Sequence, residues 1–211
     1  MRQIDTELNK TRFLDLVNSI TRPGLDKEKL LYQLENSDFF TAPASTRYHN
    51  SMVGGLCDHS LNVYDILVNL VDMFNTSDVV LPYEQDSLKI VALFHDFDKM
   101  NKYQRTAFNS KEYSPTGSKE DEVGKFDWVS TLGWKIKDSA DTFTIGTHGE
   151  NSVFMTECFM PLTAEEHAAI VNHHSVYDNP KNDITGIYNK YSLACLLHTA
   201  DMLSTYVVEK V

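Results

Sequence analysis

Apolar residues recur every three or four positions through the first part of the chain, which is the spacing of one face of an amphipathic helix. The first stretch with this spacing covers residues 4–20 and stops at Pro23 and Gly24. Asp26 then stands where a helix cap is expected, and the pattern continues through Leu34. The N-terminal part of the chain, up to residue 35, therefore predicts two helices that pack on the rest of the protein.

The remainder of the chain repeats this helical spacing, apart from one segment near its middle. Residues 36–55 are rich in Pro, Ser, Asn and Gly and predict a loop. Thr163 and Glu166 have the spacing of a capping box, which marks the start of a helix. Further helices are predicted over residues 56–74, 85–97, 149–159, 164–174 and 188–208, with a loop over 175–186.

Residues 101–147 lack the helical spacing. Between 125 and 138, aromatic residues alternate in part with polar ones around a central Gly, a pattern typical of a β-hairpin. The polar segment 114–124, which contains Pro and Gly, predicts a mobile loop in front of that hairpin. The chain as a whole, residues 1–211, thus predicts one mostly α-helical domain with a small β-hairpin insertion at about residues 110–146.

The charge of the chain argues against several kinds of partner. With 19 basic and 30 acidic side chains, the formal net charge is −11. Duplex nucleic acid and anionic membranes both attract basic surfaces, so we expect neither to be bound. The cysteines, Cys57, Cys158 and Cys195, are far apart and form no CxxC pair. Together with an N-terminus that lacks the apolar core of a signal peptide, they predict a cytoplasmic protein.

Four polar residues stand in stretches where the pattern favours apolar side chains: His59, His95, Asp96 and Asp201. An aspartate inside an apolar helix is costly to bury unless it is paired or binds a metal. Neighbouring helical residues point about 100° apart, but at a helix end His95 and Asp96 could both reach one ion. The alternative is an exposed His-Asp pair at a helix C-terminus, where the helix dipole favours histidine.

The motifs around these residues resemble those of the HD-domain metal-dependent phosphohydrolase superfamily. GGLCDHSLNVYD is similar to the family's first-histidine helix, ALFHDFDK to its HD-x-x-K signature, and LLHTADMLS to its final aspartate helix. The resemblance covers about residues 38–208 and is closest to short phage and bacterial HD hydrolases. The same region also resembles the HD domain of the YhaM-type 3′-5′ exoribonucleases. The resemblance implies an HD-domain helical bundle, located in the host cytoplasm if the gene is carried by a phage.

The resemblance also implies roles for individual residues. The residues that match metal ligands of the family are His59, His95, Asp96, His148, His173 and Asp201, with His174 a weaker match. His148 and His173 match histidines that occur in family members with a second ion. Asp96 would bridge the ions and Lys99 would contact the substrate phosphate, so both are candidate catalytic residues. The chain departs from the family pattern at Asp98, where Gly is usual, and at Thr147.

All of the implied ligands are imidazole or carboxylate groups, which suits one or two divalent ions of Mn, Fe, Co, Ni, Zn or Mg. Such an ion lowers the pKa of a coordinated water, which then attacks a phosphoester. The resemblance implies a nucleotidase, nucleoside triphosphohydrolase or phosphodiesterase whose partner is a small phosphorylated substrate, and we expect a nucleotide.

Three further points remain open at the level of sequence. Arg47 and His49 precede the first ligand helix, where they either bind substrate or pack on the core. The alternatives to a small-nucleotide hydrolase are a 3′-5′ exonuclease on short oligonucleotides and a non-catalytic, metal-dependent nucleotide-binding sensor. A homo-oligomer is compatible with each of these functions.

Overall fold

The computed structural model describes residues 3–76, 79–175 and 183–210. Within these residues the helices are α1 (Thr6–Asn18), α2 (Lys27–Glu35), α3 (Gly55–Asn75), α4 (Gln85–Phe94), α5 (His148–Glu157), α6 (Ala164–Val171), α7 (Ile184–Lys190) and α8 (Ser192–Leu203). The strands β1 (Tyr103–Tyr113), β2 (Lys119–Glu120) and β3 (Lys125–Ile136) form one small antiparallel sheet. The prediction of a mostly α-helical protein with a small β element is therefore confirmed.

Side chains next to the helices satisfy backbone amides that have no partner inside the helix. The Asp26 carboxylate accepts a hydrogen bond from the Lys29 amide at the start of α2, as predicted. The predicted capping box of Thr163 and Glu166 is present at the start of α6, and Thr147 forms a second one with Glu150 at the start of α5. Across the described ranges, no helix is both long and apolar enough to cross a membrane.

Two clusters of buried apolar side chains hold the helices together. The first joins α1 and α2 to the beginning of α3 and the end of α4, with Phe13, Phe39 and Phe94 in ring contact near its centre. The second joins the rest of α3 and α4 to α6 and α8, through side chains such as Leu67 and Leu197. Because α3 and α4 contribute to both clusters, their positions relative to each other are fixed from two sides.

The predicted hairpin within residues 125–138 is wrong in its placement. That stretch is the single strand β3, which pairs with β1 from Tyr103 opposite Ile136 onward. The sheet therefore begins before residue 110, and residues 137–146 contain no strand. Gly133 lies inside β3, opposite Thr106, and not at a turn. The Phe108 ring packs closely against it, since a Cβ at this position would be only 2.8 Å from a ring carbon. The polar segment predicted as a mobile loop contains β2.

Three predicted helix boundaries also differ. The fourth helix ends at Phe94 instead of residue 97, and a separate 3₁₀ turn follows it. The sixth ends at Val171, and both the backbone amide and the side-chain amide of the next residue, Asn172, donate to the Ala168 carbonyl. The last helix begins at Ser192, and α7 precedes it. The predicted loop over 175–186 lies partly outside the described residues, which omit 176–182.

A buried ion pair fastens α6 to the loop after α1. Both oxygens of the Glu166 carboxylate accept hydrogen bonds from Arg22, and one distance, Nη1 to Oε2, is 2.8 Å. Glu166 has no exposed surface, and the Arg22 side chain is 12% exposed. Burial by itself raises the pKa of Glu166, but the hydrogen bonds from Arg22 and its neighbours outweigh burial and lower the pKa.

We predict that Glu166→Gln lowers the free energy of unfolding at neutral pH by roughly 2 kcal/mol, less than the full cost of breaking a buried pair because Arg22 reaches water. A lowered carboxylate pKa stabilises the fold above the unfolded-state pKa and is lost as the pH falls through the folded-state pKa. The difference between variant and wild type should therefore shrink below about pH 4.3. Urea denaturation of variant and wild type, at neutral pH and below about pH 4.3, measures this difference in the free energy of unfolding. Glu157→Gln, at an exposed pair with His167, is the control, and equal stabilities at neutral pH would contradict the prediction.

Candidate metal centre

The fold gathers the predicted metal-ligand residues into one buried cluster. His59 lies in α3, His95 and Asp96 directly follow α4, and Asp201 lies in α8. His148 is the first residue of α5, and His173 follows the end of α6. Each of them except His148 is at least nine-tenths buried. Because the contributing elements are far apart in sequence, only the packing of the helices brings these side chains together.

Asp96 lies at the centre of the cluster. Its Oδ2 is 3.5 Å from Nε2 of His59 and 3.5 Å from Nε2 of His95. Its Oδ1 is 2.5 Å from Nε2 of His148 and 3.6 Å from Nε2 of His173. The two oxygens of one carboxylate thus face two separate pairs of histidines, an arrangement in which Asp96 could bridge two ions.

Asp96 thus has a first side, where Oδ2 faces His59 and His95, and a second side, where Oδ1 faces His148 and His173. The remaining predicted ligands, Asp201 and His174, lie next to these two sides. On the first side, Nε2 of His59 is 3.2 Å from Oδ1 of Asp201 and 3.2 Å from Nε2 of His95. On the second side, the His174 ring stacks on the His148 ring at 4.8 Å, and its Nε2 is 3.9 Å from the other oxygen of Asp201. The ligand atoms of Asp96, His148, His173 and His174 lie within 4.8 Å of one another, as do those of His59, His95 and Asp96. Each group could hold a metal ion.

The four histidines around Asp96, which are His59, His95, His148 and His173, turn Nε2 towards that carboxylate, and each has a partner at the other ring nitrogen, Nδ1. Nδ1 hydrogen-bonds to the Ala92 carbonyl in His95 (2.9 Å), to the Ile170 carbonyl in His173 (2.6 Å) and to Glu209 in His59 (3.0 Å), and in His148 it forms an ion pair with Asp98 at 2.5 Å. The two carbonyls lie at helix C-termini, where backbone oxygens lack a partner inside the helix. Such contacts at the second nitrogen fix the ring orientation of metal-binding histidines.

Opposite charges are balanced inside the cluster. Burial raises the pKa of Asp96, but Lys99 and the neighbouring histidines outweigh burial and hold it well below its usual range. Burial lowers the pKa of His59, yet Glu209 and Asp201 raise it to about 10. The pKa of His148 is raised to about 9 because Asp98 and Asp96 outweigh its burial. Without a bound ion, His59 and His148 are therefore positively charged at neutral pH, with a proton on each ring nitrogen.

The donor set fits a divalent ion. Nε2 of His173 is buried and, among the described residues, makes no hydrogen bond, although it points at Asp96. A buried polar atom without a partner is costly unless something else binds it. Imidazole and carboxylate groups without thiolates suit the harder and borderline divalent metals. The buried cluster could therefore hold such an ion.

Lys99 and Asp98 lie in the 3₁₀ turn that follows Asp96. Nζ of Lys99 is 2.6 Å from Oδ2 of Asp96, and the pKa of Lys99 is raised because Asp96 outweighs burial. Asp98, which stands where a glycine was expected from the resemblance, is 2.6 Å from Nζ of Lys102 and 2.5 Å from Nδ1 of His148. Its charge is thus taken up by these two groups, and Lys99 pairs with Asp96.

The two loop residues predicted to bind substrate lie in different places. The His49 ring contacts the His59 ring at 4.8 Å, and His49 lines a cavity of about 610 Å³ that also reaches Asp201 and His174. The Arg47 guanidinium lies over the Phe108 ring of β1 at 5.8 Å, and the structure does not place it in the histidine cluster. His49 therefore lies beside the cluster, and Arg47 is turned to the sheet.

Two residues of the cluster were not predicted from the sequence. Asp98 was noticed only as a departure from a family pattern, and Glu209 was not singled out at all. Nothing in the local pattern around Glu209 distinguishes it, because its contact with His59 joins residues 150 positions apart. His198, one turn before Asp201 in α8, contacts the His173 carbonyl.

Comparisons of the chain with models of known protein families, with curated proteins and with solved structures found no match. Fold and site together therefore define the protein as a mostly α-helical chain with a buried His/Asp cluster that could hold metal.

We predict that a divalent ion such as Mn²⁺ raises the unfolding temperature, because a ligand that binds only the folded state adds about 2.7 kcal/mol at a hundred times its Kd. His173→Ala should remove much of this increase, since it deletes a buried ring nitrogen that faces Asp96. Thermal unfolding with and without Mn²⁺ measures the increase in unfolding temperature for the wild type and for each variant. His167→Ala, at an exposed histidine, is the control. If Mn²⁺ raised the unfolding temperature of His173→Ala as much as that of the wild type, His173 would not be part of a metal site.

Because His59 and His148 carry protons in the metal-free protein, we predict that metal binding releases protons at neutral pH. Up to two should leave per chain, one from each ring, and His148→Ala should reduce the release by about one. Titration calorimetry in buffers of different ionisation enthalpy measures this number. Metal binding without proton release would show that these rings are not ligands.

Proposed function

We propose that the protein is a divalent-metal-dependent phosphohydrolase of the HD type that cleaves the phosphoester of a small nucleotide. The observation that carries this proposal is the placement of Asp96, whose two oxygens face two pairs of histidines while Lys99 contacts one of them, Oδ2. The resemblance of the sequence motifs to those of HD-domain phosphohydrolases supports the same proposal.

The residues of the chain would divide the work as follows. His59, His95, Asp96 and Asp201 would hold one ion, and His148 and His173, with His174 beside them, would hold a second one across Asp96. Bound there, divalent ions would supply an activated water and would neutralise charge on the phosphate. Lys99 would swing its ammonium group from Asp96 to a phosphate oxygen, because an ion on Asp96 removes the need for that pair.

The neighbouring cavity supports a small substrate. Its volume of about 610 Å³ lies in the range of small-molecule sites, and its lining includes Asp201 and His174. Tyr48 and Tyr206, exposed by 83% and 63%, also line it and would offer aromatic rings to a nucleobase. The net charge of −11 disfavours a long polyanion, which makes an oligonucleotide the weaker candidate.

A turnover screen tests the function. With Mn²⁺ present, we expect phosphate release from nucleoside mono- or triphosphates or opening of a cyclic nucleotide. Faster cleavage of short single-stranded RNA would favour the exonuclease instead. Tight nucleotide binding without turnover would favour the sensor.

We predict that Lys99→Gln lowers kcat by about 10²–10³, the loss typical of one group that stabilises charge in the transition state. Bound metal should not fall, because Lys99 holds no ion. Steady-state kinetics and metal analysis are measured on the same samples. Lys89→Gln is the matched control. Lys89 forms an ion pair with Asp86, three residues earlier, just as Lys99 does with Asp96, but away from the cluster. Unchanged kcat in Lys99→Gln would contradict the role of Lys99.

A further inference from the structure

Glu209 is a buried carboxylate next to the candidate metal centre. It is 2% exposed and follows a π-helical turn, Ser204–Val208, that returns the chain from α8 to α3. Its Oε1 accepts hydrogen bonds from Nδ1 of His59 at 3.0 Å, from Nδ2 of Asn62 at 2.9 Å and from Oγ of Ser204 at 2.6 Å. Three donors on two elements therefore hold this oxygen in one place.

The partners of Glu209 indicate why a carboxylate lies there. Burying a carboxylate is costly unless a positive group compensates it. Within the described parts of the chain, the ion-pair partner found for Glu209 is His59. A residue that served only to connect Asn62 and Ser204 would not need a charge, so the carboxylate is best explained by its contact with the imidazole.

The contact also determines where the His59 proton lies. An ionised carboxylate can only accept hydrogen bonds, so Nδ1 of His59 must be the donor. The opposite nitrogen, Nε2, is the one that faces Asp96, Asp201 and His95. Glu209 thus directs the metal-binding nitrogen of His59 into the cluster, as the Ala92 and Ile170 carbonyls do for His95 and His173.

We infer that Glu209 is a positioning residue that fixes the orientation and tautomer of His59 for a divalent ion. This inference rests on the proposed metal-dependent function. Glu209 would not touch the ion or the substrate, and its effect would pass through the imidazole ring.

A different arrangement of the same residues must be separated from this one. Nε2 of His49 and Oε2 of Glu209 are both buried and, in the described residues, make no hydrogen bond. Ligand atoms of His49, His59 and Glu209 lie within 4.8 Å of one another, so the three could form a metal site of their own. Positioning is favoured because Nδ1 of His59 already donates to Glu209, and a metal there would have to displace that proton.

The test is a Co²⁺ titration of the full chain, with affinity measured by chelator competition and geometry by the visible spectrum of the bound ion. Glu209→Ala should weaken binding by about 10–100-fold without changing the number of ions bound. Glu209→Gln, which keeps an acceptor for Nδ1 but loses the charge, should recover part of the affinity. Lys210→Ala, one residue further on in the same segment, should bind as the wild type does.

Further variants and outcomes make the result decisive. If Glu209→Ala does not fold, Glu209→Asp keeps the charge but withdraws the carboxylate from His59, and it should bind Co²⁺ more weakly with an altered spectrum. Wild-type affinity and spectrum in Glu209→Ala, or in Glu209→Asp where Ala does not fold, would overturn the inference. Loss of one whole Co²⁺ equivalent in both Glu209→Ala and His49→Ala, with the remaining affinity unchanged, would also overturn it and make Glu209 a ligand. A wild type that binds Co²⁺ tightly but turns over no phosphoester would refute only the phosphohydrolase proposal.

Discussion

A buried carboxylate, Asp96, is the group on which the arrangement of the cluster depends. A negative charge taken out of water must be compensated nearby, and Asp96 is compensated by Lys99 at 2.6 Å and by histidines on both of its oxygens. Lys99 lies in the turn that follows Asp96, but His59 and His148 come from α3 and α5, so Asp96 is fully compensated only if these helices pack correctly. Both apolar clusters serve this end, because they fix α3 and α4, which carry or directly precede His59, His95 and Asp96.

The same principle explains Asp98, which is unusual when judged by the sequence alone. A second carboxylate two residues from Asp96 adds repulsion to a site that is already acidic. In the structure it is separated from that charge by its own partners, Lys102 and His148, and its contact with Nδ1 of His148 completes the support of that ring. Asp98 thus adds a fixed contact on the second side of the cluster.

Much of the fold could be predicted because helix formation here leaves a local pattern. The capping residues Asp26 and Thr163 act within four residues of themselves, and the apolar spacing of α3 reflects a buried face. The sheet was misplaced because its strands are mostly exposed and therefore need no strict alternation. His59, His95, Asp96 and Asp201 were found because polar side chains interrupt apolar stretches, whereas His148 and His173 were predicted only from the resemblance of the motifs. Glu209 could not be found in this way, since only the turn after α8 brings it to His59.

The four central histidines are supported in two physically different ways. His95 and His173 each donate from Nδ1 to a carbonyl three residues earlier, at the end of a helix. That support comes from the backbone and survives any side-chain substitution that leaves the helix intact. His59 and His148 depend on the carboxylates of Glu209 and Asp98, which a single substitution can remove. Each of the two sides of Asp96 contains one histidine of each kind, so each side has one ring held by the fold and one ring held by a replaceable side chain. Changes at Glu209 and Asp98 could therefore tune the two sides of the cluster separately, without disturbing the helices that carry it.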